Sequence, residues 1–204
     1  MNTTNMKKII ILTVMVLSIL SCAKQDMKDV REAAALDVIA SRVSVRQFTG
    51  EKLTNEQIDK ILRAGMAAPT AVNKQPWAFV VVDDDAVLRQ LSEAVRSSRI
   101  ENGASHAIVV CGDMTKAMEG EAQGYWVEDT SAATENMLLA AHAMGLGALW
   151  VGVYPIAERV SQVGTIIGVP EYVVPMCIVT LGYPAEQPAV KDKYKEENIH
   201  HNRW

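Results

Sequence analysis

Cysteine is scarce in this chain, with three in 204 residues. Three cannot staple a small disulfide scaffold, and no Cys/His spacing suggests a zinc site. Cys111 and Cys177 each sit in an apolar, strand-like run, the usual setting of a buried free thiol. Whether they pair depends on strand placement, which spacing alone does not give. Charge of one sign is also lacking. The net charge of −4 recommends no nucleic acid as a partner. There is no internal repeat and no low-complexity tract. What remains is an ordinary globular composition, 49% hydrophobic and 22% charged, at a length that suits one domain with a substantial core.

One apolar run stands apart. Lys7 and Lys8 precede residues 9–20, too short a stretch to span a bilayer comfortably. Leu17 to Ser21 lead into Cys22, a lipobox-like ending for a bacterial lipoprotein signal. The expected layout is a signal peptide over 1–21, a tether over 22–33 and a domain over 34–204. The mature chain would be lipid-anchored through Cys22 on the periplasmic side of the bacterial cell envelope. Met27 offers an internal start, which would leave a cytoplasmic protein.

Periodicity places helices over 29–42, 54–66 (opened by a Thr54–Gln57 capping box), 83–95, 130–144 and 155–168. Strands are expected over 78–82, 106–111, 148–153 and 173–181, with a mobile segment at 114–124 and a polar tail from 191 to 204. The helix over 130–144 is apolar nearly all round, so it must be buried on most sides and is read as central and dimer-forming. Helices interleaved with four short strands fit a layered domain of the α/β type.

Three constellations carry chemistry. Arg42, Ser44 and Arg46 lie two apart, so an extended segment turns all three to one side and Val43 and Val45 to the other. Two guanidiniums beside a hydroxyl suit a phosphate, because the planar fork donates parallel hydrogen bonds. Pro69, Thr70, Ala71, Asn73 and Gln75, closed by Pro76 and Trp77, form a polar turn bounded by two prolines that leads into a strand. Gly145 and Gly147 invite a dinucleotide-binding reading, but they end a helix and precede a strand, the reverse of the required order. In the tail, Lys191 and Lys193 follow a Gly182-Tyr-Pro turn, and the adjacent His200 and His201 are a weak metal signal.

These segments, in this order, resemble the FMN-dependent nitroreductase family: a basic R-x-S-x-R cluster, a P-T-x-x-N-x-Q-P-W turn and a strand around Trp150, Val151 and Gly152. The resemblance covers roughly 38–204. It implies an α+β fold of three layers, α/β/α, with a mixed central sheet flanked by helices, in a homodimer with two FMN sites at the subunit interface and NAD(P)H as the usual donor. Arg42, Val43, Ser44 and Arg46 would meet the phosphate, ribityl chain and ring edge. The turn of Pro69, Thr70, Ala71, Asn73 and Gln75 would reach the flavin across the interface. A backbone N–H within Trp150, Val151 or Gly152 would reach flavin N5, with Gly152 favoured because glycine permits close approach. Lys191 and Lys193 would add charge at the phosphate. Hydride would pass through the flavin to nitroaromatic, quinone or related acceptors by a ping-pong scheme, and no side chain is named as acid or base. Another flavin reaction on the same fold, dehalogenation or dehydrogenation, remains open, as does a non-catalytic envelope lipoprotein. NAD(P)H is cytosolic, so an envelope address calls for another donor, a different role or the Met27 start.

Overall fold

The computed structural model describes residues 27–204, in two units divided between Ser41 and Arg42. Of the first unit, residues 27–41 form one helix, α1, in which the Ser41 hydroxyl donates to the Asp37 carbonyl at 2.7 Å. Residues 27–33, part of the stretch read as a tether, are helical, two residues ahead of the helix expected from residue 29. The signal segment and Cys22 lie outside the described residues.

The second unit is built on four strands, β1 (Trp77–Val82), β2 (His106–Asp113), β3 (Gly147–Gly152) and β4 (Val173–Gly182), in the order β1-β2-β4-β3. Every described pair is antiparallel, which corrects the expected mixed sheet. The reason is the placement of β4. β2 and β3 do run the same way, joined by a crossover helix, but β4 lies between them and pairs antiparallel with both.

The helices are α2 (Asn55–Met66), α3 (Asp85–Ala94), α4 (Tyr125–Ala143) and α5 (Ala157–Ile167). Thr54 and Gln57 make the expected capping box, and the Asp84 carboxylate caps α3 by accepting from Ala86 and Val87 N–H. α4 starts five residues earlier than its apolar run, because Trp126 already packs into the core. Pro155, expected in the first turn of α5, instead belongs to the turn before it. Ile156 is the N-cap and is exposed.

Alternation of side chains across the sheet builds two cores. One joins α2 and α4 to Ile108, Val110, Ala148, Cys177 and Val179; the other joins α3 and α5 to Val109, Cys111, Leu149, Val151 and Ile178. This is the expected three-layer arrangement. It also answers the cysteine question: Cys111 and Cys177 belong to opposite faces and are free. Burial pushes each thiol up to about 12, so both stay protonated and unreactive.

His106 opens β2 with 5% of its surface exposed, its Nδ1 3.1 Å from the Ser105 hydroxyl. Burial holds the imidazole below its ordinary value of 6.5, against the pull of Asp83 and with a smaller push from Lys52. The unfolded chain therefore takes up this proton first as pH falls. The contribution of neutral His106 is present at neutral pH, begins to fall at the unfolded value of about 6.5 and is lost as pH drops through the lower folded value. The urea midpoint should fall more steeply between pH 7.5 and 5.5 for the natural chain than for His106→Gln, by titration of the two proteins in parallel.

Candidate functional site

The outer edge of β3 is the first half of the site. Ala148 offers its carbonyl outward to the Val45 N–H at 3.0 Å, while Val153 N–H bonds inward to Met176 at 3.1 Å. Antiparallel strands alternate strictly in this respect, so Leu149 and Val151 bond to β4 while Trp150 and Gly152 turn their N–H groups outward. Of the three candidate donors, Val151 is therefore spent in the ladder, and Trp150 and Gly152 are available. The Gly152 carbonyl accepts from Arg159 Nη1 at 3.0 Å.

The basic segment runs along this edge. Val45 and Phe48 are buried over the ends of β3 and β4, and Phe48 bridges to Pro184. Such flat docking requires glycine beneath. A Cβ on Gly147 would meet Val45 Cγ1 at 2.9 Å, and one on Gly182 would meet Phe48 Cδ1 at 3.0 Å. Asn102 Nδ2 secures the Arg46 carbonyl at 2.8 Å, and the Glu186 carboxylate accepts from the Arg46 N–H at 2.7 Å.

The expected alternation holds for Val45, which points inward, and for Arg46, which is exposed; Val43 and Ser44 are half-buried. Arg46 folds its Nη1 back onto the Ser44 carbonyl at 3.3 Å. Arg42 departs from its neighbours and turns toward α4, where its Nε lies 3.1 Å from Glu135 Oε1. The Arg42 side chain is only 20% exposed. Its Nε–H is not aligned for a hydrogen bond, so the contact with Glu135 is ionic. Its two Nη groups have no protein partner among the described residues.

The second half is the turn before β1. Val72, Asn73 and Gln75 have φ of 46°, 57° and 51°, left-handed values that a valine adopts only under constraint. The constraints are visible. Thr70 Oγ1 accepts from Gln75 N–H at 3.1 Å, Asn73 Oδ1 accepts from Gln75 Nε2 at 2.9 Å, and the buried Asp129 of α4 accepts from Ala71 N–H at 2.8 Å. Pro69, Asn73 and Gln75 are exposed at the surface, and Thr70 and Ala71 are half-buried.

The structure does not bring all the sequence candidates together in one chain. The turn feeds β1 and the basic segment covers β3, and these are the two outermost strands. Three inter-strand spacings, about 14 Å, separate them. Lys191 and Lys193 are exposed in the tail and make no hydrogen bond or ion pair among the described residues, although the tail begins beside the cluster, with Ala185 N–H on the Gln47 carbonyl at 2.9 Å. Among the described residues no His/Cys/Asp/Glu group could hold a metal ion. Asp129, Glu135 and Asn102 were not anticipated as supports of the site. The available signal was that carboxylates, Asp129 and Glu135 among them, stand in a largely apolar helical stretch.

Removing the Asp129 acceptor should leave the Ala71 N–H without its partner and release the strained turn. Asp129→Ala is expected to cost about 1–3 kcal/mol in urea unfolding, and Asp129→Asn, which keeps an acceptor oxygen, less.

The chain matches the profile of the Nitroreductase family over residues 39–126 and 102–183. A Methanothermobacter thermautotrophicus protein named for NADH dehydrogenase/NAD(P)H nitroreductase is 40% identical over 169 residues, covering 83% of this chain and 87% of that one. A Bacteroides thetaiotaomicron crystal structure of the same description is 42% identical, with a TM-score of 0.79 over 84% of this chain and 98% of that one. A Desulfovibrio desulfuricans nitroreductase solved in complex with FMN is 31% identical, with a TM-score of 0.71 over 83% and 97%. With this profile match and this identity carried along most of its length, the chain belongs to the nitroreductase family.

Proposed function

We propose that this chain is an FMN-dependent oxidoreductase that takes reducing equivalents from NAD(P)H and delivers them to nitroaromatic, quinone or related acceptors. The observation that carries the reading is Arg42: a side chain only 20% exposed, whose two Nη groups have no protein partner among the described residues. Glu135 takes the Nε side, and the remaining Nη1–Nη2 edge suits an anion with paired acceptor oxygens, which a phosphate supplies. Arg46 and the Ser44 hydroxyl lie along the same segment, and Val43 lines it. The names of the relatives agree, since one is an FMN reductase that uses NADPH and another is an oxygen-insensitive NADPH nitroreductase.

The outward N–H of Gly152, or of Trp150, is suited to hold the redox edge of the ring, where a backbone donor needs no side-chain room. FMN, when bound, supplies the hydride chemistry, accepting from the donor and passing electrons to the acceptor in separate half-reactions. The chain's own work is to grip the phosphate, fix the ring against β3 and leave one face open. Pro69, Thr70, Ala71, Asn73 and Gln75 sit at the far edge of the same sheet, so a second copy would present its turn to this site. A homodimer accommodates both halves. Lys191 and Lys193 would reach the phosphate only through the tail. Residues 1–21 are read as a lipoprotein signal, with the mature protein held at the envelope through lipid on Cys22; a chain started at Met27 would instead meet NAD(P)H in the cytoplasm.

The purified protein should copurify with a yellow cofactor whose absorbance bleaches anaerobically on adding NADH or NADPH and returns with a quinone. A colourless protein that gains no colour from FMN would defeat the proposal. Arg42→Ala should weaken FMN about tenfold or more, measured by flavin fluorescence quenching. In cells, Cys22→Ser should move the protein from the membrane pellet to the soluble fraction; unchanged fractionation would refute the anchor.

A further inference from the structure

We infer that Glu135 of α4 is a positioning residue that aims Arg42 at the phosphate of the cofactor, an inference that rests on the phosphate role proposed for Arg42. An arginine side chain has four rotatable bonds, and a free one must be immobilised each time it grips an anion. Here the immobilisation is built in. Glu135 Oε1 lies 3.1 Å from Arg42 Nε, and the Arg42 side chain is 20% exposed while that of Glu135 is 43% exposed. The guanidinium is thus held by its stem side. Its opposite edge, Nη1 with Nη2, carries the parallel N–H groups that fit two phosphate oxygens.

The way Glu135 holds Arg42 sets what each substitution should do. Nε–H is not aligned with the carboxylate for a hydrogen bond, so attraction between full charges, rather than directed bonding, keeps the fork in place. A neutral glutamine of the same shape should therefore fail to replace Glu135. Two opposite effects compete on phosphate affinity. Glu135 repels the incoming phosphate, yet it keeps a largely buried cation from swinging out toward water. The carboxylate is the more exposed partner and is already neutralised by Arg42, so its repulsion is screened, while the orientation it imposes on the guanidinium through the buried Nε is not.

Dissociation constants for FMN and for riboflavin, which lacks the phosphate, decide the matter in the intact protein. The set is the natural chain, Glu135→Gln, Glu135→Ala, Arg42→Met and the double variant Arg42→Met/Glu135→Ala. Both Glu135 variants should bind FMN about tenfold more weakly with riboflavin unchanged, and Glu135→Ala should add nothing once Arg42 is gone. FMN affinity that is unchanged or tighter in the Glu135 variants, while Arg42→Met weakens it, would overturn the positioning role and mark Glu135 as a competitor for the cation. Equal loss of FMN and riboflavin would overturn it in favour of general damage to the site. If Arg42→Met itself leaves FMN binding intact, the underlying phosphate assignment falls instead.

Discussion

Two carboxylates on one buried helix hold both halves of the candidate site. Asp129 and Glu135 are six residues apart, about 9 Å along the axis of α4. The first fixes the strained turn through the Ala71 N–H; the second faces Arg42. The helix can carry them because the rest of its surface is settled by packing. Ala133, Met137, Leu138 and Ala141 are buried, and the hydroxyls of Thr130 and Thr134 satisfy themselves on the carbonyls of Trp126 and Thr130, each at 2.7 Å. Core and site are thus the same object seen from two sides, and a shift of α4 would misplace both halves together.

The edge of β3 makes the complementary contribution. An uncovered edge strand offers a row of backbone donors to any passing strand. Here the chain's own segment docks against it at Val45, above Gly147, while Trp150 and Gly152 keep outward N–H groups. The same edge is therefore closed at one end, against unwanted pairing, and open at the other for a ligand.

Much of this was readable from residues alone, and the parts that were not have physical reasons. Apolar spacing located the four strands and the helices that follow them, because burial on one face leaves a periodic trace. It could not report that β4 inserts between β2 and β3, since strand order is a long-range property with no local signature. The basic cluster was legible because its three polar residues alternate with valines; that Arg42 would leave its neighbours for Glu135 was not, because nothing in spacing marks a partner 93 positions away. Nor could the left-handed Val72 be foreseen. A β-branched residue argues against that conformation, and only the bonds to Thr70 and Asp129 around it explain why it persists.

The separation of the two thiols by the sheet has a consequence for a protein that handles electrons. A dithiol within reach of a reducing centre is an alternative sink, and one that an oxidant can fill. This chain has none among its described residues: each sulfur is protonated, enclosed and set in the core on the opposite face of the sheet from the other. Its redox traffic can therefore run in an oxidising or a reducing compartment without the scaffold recording which.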